Sequence, residues 1–395
     1  MAQTSGSPDK AAGVPVRRRS LLASAALAAG PSFPVAACTH GPVDSGPERH
    51  ALPRPGTVSR LVAVPERSRD VDWLRSALHV AVEIEFSTIP PYLCGWWSIE
   101  NRKCDAARLI RRIISDEMYH LGIVCNLLVG VGGRPRILES APVYPGPLPG
   151  GVHPGVNVYL SGLTTALVRD VMMAIEAPAA PLTDSSHDPL SIGRFYDELL
   201  KAFRTVAPEL SADRQLRERI GDDTLRPVKT LADVERSIEI IQDQGEGTSA
   251  SPADGLGDGH LAHYYAFAEI YHGRRLLEVG GRWQFTGAPV PFPDTRPMSM
   301  VPAGGWDRPP AGARQLLDDF DHTYTGVLEA LDTAWAEGDP RSLRTAVRRM
   351  RRLETPAVGL MEMPVPGTKE TYGPQFRPRG RPTRLHPSGA SRPVL

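Results

Sequence analysis

An all-α fold, a four-helix bundle with long proline-rich connections and additional C-terminal helices, is predicted by three observations. Apolar residues recur at the three-and-four spacing of one helix side in several long segments. Proline, at 39 of 395 residues, is about twice its average usage and assigns much of the rest to loop or extended coil. Glutamates and histidines sit on the apolar stripes of the helical segments, where a charge is costly unless something neutralises it.

The length suits one large or two modest domains, and 41% hydrophobic content supplies a core. The 45 basic and 45 acidic residues leave no net field, so neither nucleic acid nor an anionic membrane is indicated as a partner. Residues 1–38 read as a twin-arginine signal peptide: Arg17, Arg18 and Arg19 precede a short apolar run to Ala29 and then Val35-Ala36-Ala37-Cys38. The run is too short to remain as a membrane anchor. Either Cys38 receives a lipid or the Val-Ala-Ala segment is cut by ordinary signal peptidase. Both place the protein outside the cytoplasm, in the periplasm or at the cell surface, with the membrane reached only through that lipid. Residues 39–69 read as a linker.

A helix is expected to open near Asp72, with Leu74, Leu78, Ala81 and Glu85 on one stripe and Glu83 off it. Pro90 and Pro91 predict a kink, with Tyr92, Trp96 and Trp97 packing beyond it. Asn101–Cys104 make the turn into the strongest helical pattern, Asp105–Gly133, which ends in a glycine stop. On its apolar side lie Leu109, Ile113, Glu117, His120, Leu121, Val124 and Leu128. A cation shared by Glu117 and an imidazole three residues later would neutralise the buried carboxylate, and Glu-x-x-His on a bundle helix is half of a two-metal site. The competing reading pairs Glu117 with Arg112 and leaves His120 an ordinary core histidine.

Residues 137–161 read as a long crossing connection. Leu163–Ala177 resumes the helical spacing and offers Glu176 beside Ile175. Ser191–Val206 reads as an amphipathic helix with nothing chemical on it. Leu231–Gly247 carries Glu246 between Gly245 and Gly247, a weakened helix end that aims one side chain. Asp258 can cap the next helix, whose stripe is His263, Phe267, Ile270 and Leu277. Glu269 and His272 form a second Glu-x-x-His, but His263 faces the core and is preferred as a ligand. Residues 280–310 read as loop, helices follow over Ala311–Ala336 and Arg341–Met361, and 378–395 is a basic disordered tail. Cys94, Cys104 and Cys125 show neither zinc spacing nor a disulfide framework and read as core or buried thiols, with a Cys94–Cys104 bridge as the alternative.

Four helices each offering an inward glutamate, with two histidines among them, are the ligand set of a ferritin-like bundle holding two iron or manganese ions. The strings AVEIEFSTIPPYLCGWWSI, IRRIISDEMYHLGIVCNLLVGVGGRP, AIEAP, QDQGEG, HYYAFAEIYHGRRL and YGPQF resemble the ferritin-like family named for iminophenyl-pyruvate dimer synthase, which includes a domain of violacein and rebeccamycin pathway enzymes. The likeness spans residues 70–377. It implies Glu85, Glu117, His120, Glu176, Glu246 and His263 as metal ligands, and oxidative coupling of two imines derived from aromatic 2-oxo acids. The chain departs from the family in two ways. Glu246 and His263 are separated by a loop instead of forming a tight Glu-x-x-His, and an export signal is unexpected for an enzyme with cytoplasmic amino-acid-derived substrates. Haem has no Cys-x-x-Cys-His and no evident axial histidine. The function expected is a two-metal oxidoreductase acting on a small aromatic substrate near Tyr92, Trp96, Trp97 and Tyr264. A non-catalytic iron-binding or storage protein is the alternative, and a metal-free surface module the third reading.

Overall fold

Every helix on which the sequence analysis placed a candidate ligand forms. The computed structural model describes residues 56–182, 190–247, 251–253 and 259–380, so the signal peptide with Arg17–Arg19 and Cys38, and Asp258, lie outside the described residues. The helices are α1 (Thr57–Ala63), α2 (Val71–Ser98), α3 (Asp105–Gly130), α4 (Thr165–Leu167), α5 (Ile192–Val206), α6 (Leu231–Gly245), α7 (His263–His272), α8 (Ala311–Glu337), α9 (Pro340–Arg352) and α10 (Glu354–Met361). Helix α4 runs on as a π-helical segment, Val168–Met173. Three two-stranded antiparallel ribbons decorate the connections: β1 (Gly146–Pro147) with β2 (Asn157–Val158), β3 (Glu218–Ile220) with β4 (Asp223–Leu225), and β5 (Leu277–Val279) with β6 (Arg282–Gln284).

Helices α2 and α3 are the centre of the fold and share its most extensive helix contact. Asp70 caps α2, accepting from the Trp73 amide at 2.8 Å, which meets the first-turn demand for an acceptor. The helix stays continuous through Pro90 and Pro91, the pair at which a kink was expected. Pro91 has no N–H to give the Ser87 carbonyl, and the Tyr144 hydroxyl donates to that carbonyl instead at 2.6 Å. The connection after α3 thus returns a side chain to repair α2. Gly132, at φ 77°, lets the chain turn so that the Gly133 amide reaches the Leu128 carbonyl at 2.8 Å. The π-helical segment and α7 pack on each other and on α2 and α3 respectively, and α6 packs on α3, α5 and α7. Helix α8 packs on α9, α10 and α3, and α10 packs on α2.

Four boundaries differ from expectation. The segment read as linker contains α1, whose Val58 is buried and whose Leu61 carbonyl accepts from the Trp73 indole at 2.9 Å. Helix α7 ends at His272 because Gly273 turns left-handed at φ 69°, which sends Leu277 into β5, 48% exposed, instead of onto the apolar stripe. Helix α7 has no side-chain cap; Ala262 occupies the capping position. Residues 378–380, read as the start of the tail, are held on α8 together with Arg377: the Arg377 amide donates to Asp321 Oδ1 at 3.1 Å and the Arg379 amide to Thr325 Oγ1 at 2.8 Å. Residues 381–395 lie outside the described residues. Cys94 and Cys125 are free and buried, and half-buried Cys104 caps α3 through its sulfur. Among the described residues no helix is long and apolar enough to cross a membrane.

Candidate metal centre

Among the described residues, two groups of potential ligands meet inside the bundle. One is Glu85, Glu117 and His120; the other is Glu117, Glu176 and His263. Within each group the ligand atoms lie within 4.8 Å of one another. Exposure is 3% for Glu85, 2% for Glu117, 1% for His120, 5% for Glu176 and 0% for His263, so solvent cannot neutralise these charges. Four elements contribute: α2 gives Glu85, α3 gives Glu117 and His120, the end of the π-helical segment gives Glu176, and the first turn of α7 gives His263. A π-helical turn holds an extra residue and re-aims the side chains beyond it, and Glu176 lies three residues past this one.

Each carboxylate divides its oxygens between a hydroxyl and the cluster. Tyr196 of α5 hydrogen-bonds Glu85 Oε1, Thr88 lies 2.8 Å from Glu117 Oε2, and Tyr92 donates to Glu176 Oε1 at 2.5 Å. The remaining oxygens face imidazole Nδ1 atoms. His120 Nδ1 is 3.6 Å from Glu85 Oε2 and 3.7 Å from Glu117 Oε1. His263 Nδ1 is 2.8 Å from Glu117 Oε1 and 3.7 Å from Glu176 Oε2. The outer nitrogens are engaged elsewhere: His120 Nε2 lies 2.7 Å from Gln244 Oε1, and His263 Nε2 lies 3.2 Å from Asp116 Oδ2. In a neutral ring, donation from Nε2 leaves Nδ1 as the lone-pair nitrogen turned inward.

The electrostatics follow from packing these groups together without water. Burial and the nearby Glu176 hold the Glu117 carboxyl up at about 7, against the pull of His263 and His120. Burial would depress His120, but Glu85 and Glu117 outweigh it and raise it to about 9. His263 is likewise raised well above the ordinary imidazole value, burial being overcome by Asp116, Glu117 and Glu176. Burial, with the neighbouring glutamates, pushes Tyr92 and Tyr196 far up, so both stay hydroxyl donors. Asp116 goes the other way: burial would raise it, yet His263 and Arg112 hold it down and ionised.

Of the six candidates from the sequence, Glu85, Glu117, His120, Glu176 and His263 come together, and Glu246 does not join either group. It ends α6 and lines the same small cavity, but its Oε1 accepts the Gly193 amide at 2.6 Å, at the N-terminus of α5 where amides lack helical partners. Burial holds its carboxyl up at about 7, against the Gly193 amide and the Ser191 hydroxyl. A Cβ on Gly193 would lie 2.4 Å from Glu246 Oε2, so glycine is what permits the approach. The alternative pair is elsewhere: Glu269 binds Arg275 at 2.6 Å and the Leu276 amide at 2.8 Å, and exposed His272 stacks on Phe285. Arg112 pairs with Asp116, not Glu117. Trp96, Trp97 and Tyr264 do not line this cavity. Trp97 stacks on Phe376, and Trp96 lies under the Arg102 guanidinium.

Sequence reasoning missed Tyr196, on a helix read as chemically silent, and the supporting roles of Thr88, Gln244 and Asp116. Thr88 and Tyr92 were legible at three and seven residues from Glu85 on one face; Tyr196 was not, because its partner is distant in the chain.

The donor set fits a pair of metal ions. Three carboxylates and two imidazoles without thiolate suit iron or manganese. His263 Nδ1 is fully buried with no hydrogen bond of acceptable geometry, a polar atom that a cation would satisfy on displacing its proton. Residues 78–272 match the family model described as ferritin-like. The fold is ferritin-like. A solved ferritin-like protein from Caulobacter vibrioides is similar at 21% identity with a TM-score of 0.53, over 76% of this chain and 97% of that one. At that identity the likeness speaks for the ferritin-like architecture alone. No curated protein matches the chain.

Proposed function

We propose that this ferritin-like protein is a non-haem two-metal oxidoreductase, with iron or manganese held by Glu85 and His120 on one side, Glu176 and His263 on the other, and Glu117 between them. The observation that carries the reading is the pairing of the two ligand groups through a shared, fully buried carboxylate. When bound, two redox-active ions supply removal of an electron pair from an organic substrate, with dioxygen as the acceptor. The chain's own residues do the rest. Tyr196, Thr88 and Tyr92 hold the carboxylates in place, Gln244 and Asp116 orient the imidazoles, and the surrounding Ile84, Ile175, Ile192 and Ile241 keep water out. In the metal-free state His120 and His263 hold protons where cations would sit, and loading must release them.

Glu246, which lines the same cavity, would become a ligand by leaving the Gly193 amide. The likeness to iminophenyl-pyruvate dimer synthase makes an imine from an aromatic 2-oxo acid the first substrate class to try. The signal sequence makes export in the folded, loaded state part of the same proposal. Long irregular connections outside the bundle favour this reading over an iron store, which needs faces free to assemble into a shell.

Metal analysis of the purified protein is expected to find two ions per chain, and oxygen uptake is expected on adding substrate. Two ions without substrate-dependent uptake would instead favour the iron-binding alternative; absence of bound metal would end both.

A further inference from the structure

The two halves of the centre match until the atoms behind the histidines. Glu85 with His120 faces Glu176 with His263 across Glu117, and a tyrosine hydroxyl secures each outer carboxylate. Behind His263 Nε2 stands an anion, Asp116, at 3.2 Å. It is tied to Arg112 at 3.2 Å, whose other nitrogen donates to the Leu261 carbonyl at 2.6 Å, just ahead of α7. Behind His120 Nε2 stands the neutral amide of Gln244 at 2.7 Å.

We infer that the two subsites are unequal: the His263–Glu176 subsite binds a divalent transition-metal ion more tightly and fills first, with Asp116 as the positioning residue responsible. This rests on the two-metal reading above. A carboxylate accepting from Nε2–H draws that proton outward and leaves Nδ1 a stronger donor than an amide oxygen does. It also admits one tautomer only, because an ionised carboxylate has nothing to donate, whereas an amide can present its oxygen or its NH₂ to the ring. Once loading has displaced the inner proton, His263 therefore keeps a single tautomer with Nδ1 turned to the cation, while neutral His120 retains a competing tautomer with Nδ1 protonated.

Anaerobic titration of the metal-free full-length protein with cobalt(II), followed by calorimetry and by visible absorption of the bound ion, tests this. Two events should appear with dissociation constants about tenfold or more apart. His263→Ala should remove the tighter event and His120→Ala the weaker. Asp116→Asn should weaken the tighter event by about 10- to 100-fold. Gln244→Glu should tighten the weaker one and narrow the gap, a gain that a merely structural role does not produce. Two events of equal affinity, loss of the tighter event in His120→Ala, or a gap unmoved by both Asp116→Asn and Gln244→Glu overturns the inference while the two-metal reading stands. Failure of the wild-type protein to bind any ion overturns that reading, and the inference with it.

Discussion

Helices α2 and α3 each present two faces a quarter-turn apart, and the two could hardly differ more. On one face Glu85, Thr88 and Tyr92 meet Glu117 and His120, and nearly every atom that matters is polar and partnered. One residue further on, Phe86, Ile89 and Leu93 meet Met118, Leu121 and Gly122 against α8 and α9, around an apolar cavity of about 60 Å³. The difference teaches where the stability lies. Burying five ionisable groups costs free energy that their mutual attraction at best offsets, whereas the apolar face gains from every side chain it removes from water. The layer of α8 and α9 adds apolar burial that the polar centre lacks.

The largest expected effect falls on the polar face. Glu117→Ala removes the carboxylate common to both ligand groups and should lower metal affinity by ~100-fold or more, since changes one shell further out cost 10- to 100-fold; metal content per chain measures it. On the apolar face, Trp335→Ala should cost about 3–5 kcal/mol of unfolding free energy and leave metal content unchanged. Trp335 is 1% exposed and donates to Asn126 Oδ1 at 3.0 Å. If that variant also lost its metal, the two faces would not be independent.

The third prediction concerns pH. Glu117 at about 7 and His120 at about 9 both hold protons more firmly in the folded chain than in the unfolded one. With more protons bound when folded, stability falls as pH rises. In metal-free protein the contribution of Glu117 is full below about 4.5 and lost as pH passes 7; that of His120 is full below about 6.5 and lost as pH passes 9. The unfolding free energy from denaturant titrations should drop across this range by several kcal/mol, and the drop should be suppressed in metal-loaded protein.

The smallest effect probes the seam between α3 and its neighbours. Gly122→Ala removes a helix-interior glycine worth up to about 1 kcal/mol. The new Cβ would meet Ile220 Cδ1 and Leu225 Cδ2 at 3.2 Å, both ends of flexible side chains, and Ile220 borders the apolar cavity. A net gain of about 0.5 kcal/mol is expected, read from thermal midpoints.

The bundle and its inward residues were determined by the sequence alone, because helix periodicity is local: Glu85, Glu117, His120 and His263 declare their faces by the leucines and isoleucines around them. Residues that support the cluster from the same helix were equally within reach, as Thr88 and Tyr92 are. Tertiary structure decided what depends on partners far along the chain. It brought Tyr196 to Glu85, set Tyr144 against the proline gap in α2, placed Asp116 and Gln244 behind different histidines, and gave Glu246 to the amide of Gly193. Those contacts arise from how helices cross and where loops return, and no periodicity within one segment encodes a meeting with another.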